Sequence, residues 1–455
     1  MERQVSDQAG PVGAVGSEFV LPNGSKLMNR IAKASMSEGL AGPSNAATHG
    51  LIDLYRIWGN GGAGLLLTGN VPVDRRHLER AGNVVFDAHI TDDDRAAARQ
   101  WAEVAQTGGA QLWAQLSHAG RQTPKALNPR PDSASNIAVV LPGSKYAAPM
   151  AMSDTRIEAV IEAFVTGAQI ARDLGFAGVQ LHGAHGYLIN QFLSPLSNLR
   201  DDRWGGSLEN RARLLVETVR RIRAATGPSF GLGVKLNSSD FQKGGFDSDD
   251  SLQVAKWLEA EGLDLLEISG GTYESPAMAS GEAGSMSDGF ESLSRSTAAR
   301  EAYFLQYAAQ IRSAVKTPLL VTGGFRSRDG MNAALESGAT DLVGIGRPLA
   351  TDPESVAKLL KGEITDLPAM ERTLRLAKPK FLGPNSNFKM MKGLNTLAIL
   401  EWHCLQLLKI GSGEGSEPAK PLFGGFLDFE KREKKIIAAW RGGEPGALQF
   451  KRQGA

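Results

Sequence analysis

The sequence has a single cysteine, Cys404, which excludes an intrachain disulfide and any cysteine-rich zinc or iron–sulfur site. It also lacks an excess of charge of either sign. Fifty Lys and Arg face 49 Asp and Glu, for a formal charge of +1. That balance gives no electrostatic reason to bind nucleic acid or an anionic membrane, and neither partner is expected. No run reaches 18 consecutive apolar residues, so no membrane-crossing helix is expected. The start, MERQVSDQAGPVGAVGSEF, has no basic stretch followed by an apolar core. No signal peptide is therefore expected, and a cytoplasmic location is. There is no Gly-X-Y period, which excludes collagen, and 42% apolar with 22% charged residues excludes global disorder.

What is present in excess is glycine, 53 of 455 residues, against an average usage of roughly 7%. In a folded chain this implies many tight turns, or backbone lying against ligands. Residues 1–17 are small and polar and read as a flexible tail. Phe19 to Leu21 and Lys26 to Met28, joined by Pro22-Asn23-Gly24-Ser25, read as a β-hairpin. Then short apolar strands alternate with amphipathic helices. The strands are 31–36, 64–69, 110–116, 178–182, 231–236, 264–268, 318–322 and 342–345. The first is the weakest strand former, because of Lys33 and Ala34. Helices are read over 155–174 and 207–225, the latter starting at Ser207. Eight such units predict an α/β fold, a (β/α)8 TIM barrel over residues 18–365, in preference to a doubly wound sheet. Insertions at 119–153 and 272–297 follow strand C-terminal ends and read as lids. Residues 366–455 form a helical C-terminal extension, with helices at 394–410 and 429–440 around a Gly/Ser/Glu linker, expected to pack on the barrel.

Three constellations carry chemistry. His182, His185 and Tyr187 follow a strand end, where barrels place their active sites. They read as two satisfied histidines with a structural tyrosine, as a His-x-x-His metal site, or as paired donors to a substrate oxygen with a phenolic proton donor. No carboxylate or cysteine with metal spacing follows, and no metal is expected. Gly323-Gly324 and Gly346-Arg347 follow the last two strands, where barrels bind phosphate. Gln115 ends the third strand, and Lys235 lies in the fifth. A lysine buried there needs an anion, a carboxylate or an electron-rich ring, or else forms a Schiff base.

Together these blocks resemble the Old Yellow Enzyme family of FMN-dependent NADH:flavin oxidoreductases. The resemblance runs over residues 19–360. It rests on Asn29-Arg30-Ile31, Thr68-Gly69, Gln115-Leu116-Ser117-His118-Ala119-Gly120-Arg121, the 182–213 segment, Val321-Thr322-Gly323-Gly324-Phe325 and Gly346-Arg347-Pro348-Leu349-Ala350. It implies FMN as cofactor, NADH or NADPH as reductant, and reduction of activated C=C bonds in unsaturated carbonyl or nitro compounds. It implies that Ser35, Met36, Ser37, Gly69 and Gln115 contact the flavin ring and that Lys235 lies by its N1 and O2. Gly323, Gly324, Gly346 and Arg347 would hold the phosphate. His182 and His185 would bind the substrate oxygen, with hydride from flavin N5 and a proton from Tyr187.

Three positions depart from the family pattern. Ser37 stands where many members have threonine or cysteine, and Lys235 where many have arginine, so a bidentate fork is lost. Gly39 replaces a tyrosine of some members and is expected to widen the pocket. With one cysteine, the barrel-only form is expected, and a homo-oligomer is open. The rival readings are a flavin-free phosphate-binding lyase using Lys235 and a non-catalytic scaffold.

Overall fold

The computed structural model describes residues 12–141, 145–272, 274, 304–376 and 389–442. A one-turn segment, Ala14–Gly16, leads into an antiparallel hairpin of β1 (Phe19–Val20) and β2 (Lys26–Leu27). The flexible tail expected through residue 17 is corrected for residues 12–17. Val15 is fully buried, its N–H donates to Asn332 Oδ1, and its carbonyl accepts from Arg30. The Asn332 amide also donates to the Val12 carbonyl, and Arg30 donates to Ser17 Oγ, so the segment is tied down along its length. Residues 1–11 lie outside the described part.

The barrel begins with β3 (Ile31–Lys33), β4 (Leu65–Pro72) and β5 (Gln111–Ser117). After a short parallel pair in the insertion, β6 (Asp132–Ser133) and β7 (Met150–Ala151), it continues with β8 (Gly178–Gly183), β9 (Gly231–Asn237), β10 (Leu265–Ser269), β11 (Leu319–Thr322) and β12 (Leu342–Ile345). These eight strands are all parallel and close in sequence order, β12 pairing with β3 through Val343 and Ile31. Helices α1 (His49–Gly59), α2 (Asp92–Gln106), α3 (Asp154–Asp173), α4 (Leu188–Leu193), α5 (Leu208–Thr226), α6 (Ser248–Ala260), α7 (Leu305–Arg312), α8 (Arg328–Glu336), α9 (Pro348–Thr351) and α10 (Ser355–Leu360) surround them. The first strand ends at Lys33, short of the expected 36, and the second runs on to Pro72. Lys33 is completely buried, its ammonium donating to the Leu67 and Ala34 carbonyls beneath the Trp58 ring. Ser207 caps α5, its hydroxyl accepting from the Asn210 N–H.

The strands are buried along nearly their whole length, as helices on one face and a filled interior on the other require. Hairpin residues Leu21 and Leu27 plug the interior with Leu65, Leu67, Leu265, Leu320 and Leu342 around Trp113. A Cβ at Gly178 or Gly231 would collide with the Trp113 ring, and one at Gly233 would crowd it. Three of the many glycines thus make room for one indole. The final helices, α11 (Lys389–Gly411) and α12 (Leu422–Gly442), pack on each other. The second begins well before the expected 429. A Cβ at Gly425 would strike Trp402, so glycine there permits close helix approach. Leu407 and Ile410 of α11 join the barrel's own apolar core.

Candidate active site

The C-terminal ends of the strands carry a continuous chain of polar side chains. Ser35 Oγ donates to Gln115 Oε1 at 2.7 Å, and Gln115 Nε2 donates to Gln180 Oε1 at 2.7 Å. Gln180 Nε2 donates to Glu267 Oε2 at 2.8 Å, and Lys235 Nζ pairs with Glu267 Oε1 at 2.9 Å. Strand register explains the chain: Gln115 lies opposite Gln180, and Lys235 opposite both Glu267 and His182. Lys235 therefore meets a carboxylate, one of the alternatives its sequence position left open. Sequence reasoning missed Gln180 and Glu267. The only signal was a polar residue in the middle of each of two largely apolar strands.

His182, His185 and Tyr187 converge as expected. The His182 ring centroid lies 5.1 Å from that of His185 and 4.5 Å from that of Tyr187. The Ala184 N–H donates to His182 Nδ1, which leaves the proton of a neutral imidazole on Nε2. His185 has φ +62, a left-handed conformation rare outside glycine, held by its N–H to Asn237 Oδ1 and by Nε2 at 2.7 Å from Ser269 Oγ. Burial pushes both imidazoles well below the usual histidine range, and the Lys235 charge adds to this. Both are therefore neutral at physiological pH, able to hydrogen-bond a substrate oxygen without carrying charge.

A third missed residue, Asn70, bridges this triad to the segment that follows the first barrel strand. Asn70 Nδ2 lies 3.3 Å from the Tyr187 hydroxyl and 3.5 Å from Ser37 Oγ, while Ser37 Oγ donates to Glu79 Oε2 at 2.8 Å. Gly69 is required by its neighbours: a Cβ there would collide with the Met36 carbonyl and with Glu38, whose carboxylate accepts the Gly69 N–H. At Gly39 the expected widening is corrected. Arg80 lies against Gly39, where a Cβ would meet its guanidinium, so that space is filled. Arg80 is in turn paired with Glu433 of α12 at 2.6 Å and stacks over Phe429.

Gly323 and Gly324 follow β11 with φ +120 and +88, and Gly346-Arg347 follow the neighbouring β12. Met36 reaches the same corner, its Sδ 3.7 Å from where a Gly346 Cβ would stand. Thr322 Oγ1 is buried with no hydrogen-bond partner among the described residues, and the Arg347 guanidinium makes no hydrogen bond to a described residue. Two left-handed glycines, an uncommitted hydroxyl and an uncommitted guanidinium on adjacent loops fit a phosphate monoester. The floor chain below and the neutral histidine pair fit a flavin ring with a substrate over it.

Most of the 272–297 insertion lies outside the described residues. The 119–153 insertion is tied down by Arg121, which pairs with Glu274 at 2.6 Å, and by Arg156, which pairs with both Asp74 and Asp132. Those two carboxylates lie beside His77 and His118 in a group that could hold a cation. Arg156 and Arg76 already supply the positive charge there, and both His77 nitrogens are engaged, by Asp74 Oδ2 and by the Asp132 N–H. This cluster is a tether for the insertion. No helix among the described residues is long and apolar enough to cross a membrane.

Comparison with known proteins adds three findings. A family model described as the NADH:flavin oxidoreductase / NADH oxidase family matches residues 21–366. An NADH-dependent flavin oxidoreductase, nadA, of Aspergillus parasiticus is 33% identical over 396 residues, 84% of this chain and 82% of that protein. Another, iliE of Hypocrea jecorina, is 35% identical over 348 residues, 72% of this chain and 84% of that protein. Among solved structures, an old yellow enzyme homologue from Zymomonas mobilis superposes with a TM-score of 0.64 at 22% identity, over 79% of this chain and 95% of that chain. A 2-naphthoyl-CoA reductase superposes with a TM-score of 0.68 at 23% identity, over 78% of this chain and 53% of that chain. At those identities the two structures speak to the fold.

Proposed function

Because the chain belongs to the NADH:flavin oxidoreductase / NADH oxidase family, the Old Yellow Enzyme family, whose cofactor is FMN and whose reductant is NADH or NADPH, we propose that it reduces activated C=C bonds of small electrophilic alkenes, unsaturated carbonyl or nitro compounds. The observation that carries this reading is the convergence of His182, His185 and Tyr187 above the Ser35–Gln115–Gln180–Glu267–Lys235 chain.

FMN, when bound, supplies hydride transfer to the substrate β-carbon. The protein's part is to bind, orient and protonate. His182, through Nε2–H, and His185 hold the carbonyl or nitro oxygen and stabilise the negative charge that develops on it. Neutral imidazoles suit this role, since they donate without pulling a counter-anion into the pocket. Tyr187 holds the proton that goes to the α-carbon. Ser35, Met36, Ser37, Gln115 and Lys235 would hold the ring, and Gly69 would let the 36–38 segment lie against β4. Gly323, Gly324, Gly346 and Arg347 would hold the phosphate. The ion pair of Lys235 with Glu267 speaks against the lyase reading, because a Schiff-base lysine needs a free amine.

The purified protein should be yellow and should bleach anaerobically with NADH or NADPH. A colourless protein that takes up no added FMN would sink the proposal. A steady-state screen of enones and nitroalkenes with both nicotinamides then names the substrate. Borohydride trapping of a carbonyl substrate on Lys235 would instead favour the lyase.

A further inference from the structure

The C-terminal extension lies outside the 21–366 family match, yet it delivers a buried imidazole to the phosphate corner. His403 sits on α11, one turn before Leu407 and two before Ile410, on the face that joins the barrel core. α11 crosses α9, the short helix that directly follows Arg347. His403 is 4% exposed. Its Nδ1 is 2.7 Å from the Ile399 carbonyl, a pure acceptor, so Nδ1 must carry the proton and donate. Nε2 of the neutral ring is then a lone-pair acceptor. It is buried and has no hydrogen-bond partner among the described residues.

A buried acceptor needs a donor. The charged groups facing it are Arg347, Arg326 and Glu371. Arg326 is committed to Glu371 and to the Phe325 carbonyl. Arg347 is the cation left with hydrogen bonds to give.

We propose that His403 is a positioning residue for the flavin phosphate: with FMN bound, its Nε2 accepts one N–H of the Arg347 guanidinium, a bond that neither group makes in this structure, and so aims the remaining N–H groups at the phosphate held by Gly323, Gly324 and Gly346. This rests on the flavin reading above. Guanidinium donors are fixed in one plane, so engaging one edge orients the others. The alternative, a protonated His403 touching the phosphate directly, works against burial and two arginines, which push this imidazole down to about 4. At pH 7 that is a preference of about a thousandfold for the neutral ring.

The test is fluorescence titration of the flavin-stripped full-length protein with FMN and with riboflavin, which lacks the phosphate. His403→Leu should weaken FMN binding about tenfold, a typical cost for a hydrogen bond to a charged group. Riboflavin affinity should stay within about twofold, and His403→Gln, whose Oε1 can accept, should recover most of the FMN affinity. In an Arg347→Ala background, His403→Leu should have no further effect. Unchanged FMN affinity in His403→Leu would overturn the proposal. So would equal losses of FMN and riboflavin, which mark a merely structural residue. FMN affinity that rises as pH falls from 8 to 6 in wild type but not in His403→Leu would overturn the acceptor role in favour of an imidazolium. Wild-type protein that binds neither flavin would instead bring down the flavin reading itself.

Discussion

Lys235 and Glu267 stand opposite each other on neighbouring barrel strands and pair at 2.9 Å, with side-chain exposures of 6% and 0%. Neither charge is tolerable there alone. Together with Gln180, Gln115 and Ser35 they form a polar chain across an otherwise apolar barrel.

Glu267→Leu should therefore destabilise the protein by about 3–5 kcal/mol, because it strands the buried Lys235 charge. Urea unfolding measures this. Glu267→Gln keeps a hydrogen bond but removes the counter-charge. With FMN bound, its flavin midpoint potential should rise by about 30 mV or more, since the unneutralised lysine favours the more negative reduced form. A potential that falls or stays constant would show that Lys235 does not act on the flavin.

Tyr187→Phe should slow the alkene half-reaction by roughly 100-fold or more while sparing flavin reduction by NADH or NADPH. Asn70→Ala, which removes the amide beside the Tyr187 hydroxyl, should slow the same half-reaction by about tenfold. In the double variant the Asn70 effect should vanish. Equal loss in both half-reactions would reject the proton-donor role of Tyr187.

The pair of Arg80 with Glu433 fastens α12 over Gly39. Glu433→Ala leaves Arg80 buried without its counter-ion and should cost about 3 kcal/mol. Limited proteolysis should then cut first between α11 and α12. Unaltered digestion kinetics would show that this pair does not hold the extension down.

Glu401, on α11, gives a pH dependence. Burial raises its carboxyl from the ordinary 4.5 to about 7, with Glu430 and Glu433 adding to the shift and Lys145 and Arg80 opposing it. The folded state thus binds more protons than the unfolded state between pH 4.5 and about 7. The stability this group contributes is complete below pH 4.5 and is lost as pH rises through about 7. Glu401→Gln should be more stable than wild type at pH 8, by on the order of 2 kcal/mol, and equal to it near pH 4.5. Parallel unfolding curves at the two pH values would contradict this.

All eight barrel strands were legible in the sequence, because a parallel barrel buries strands on both faces and so writes them as apolar runs. The helix starts were legible where a serine caps them, as at Ser207. The triad of His182, His185 and Tyr187 was legible because its members share one strand end. Gln180, Glu267, Asn70 and Arg80 were not, since each acts through a residue distant in sequence, and a lone polar residue in a strand does not name its partner.

By itself, then, the sequence determined the barrel, the order of its strands and which strand ends carry polar side chains, because those are properties of local pattern. It determined that glycine is abundant but not what each glycine is for. Only the tertiary structure decided that Gly178, Gly231 and Gly233 accommodate Trp113, that Arg80 fills the space at Gly39, and that Lys235 is met by Glu267. Those outcomes depend on strand register and on helices that return from the far end of the chain, and packing of that kind fixes which distant atoms share one volume.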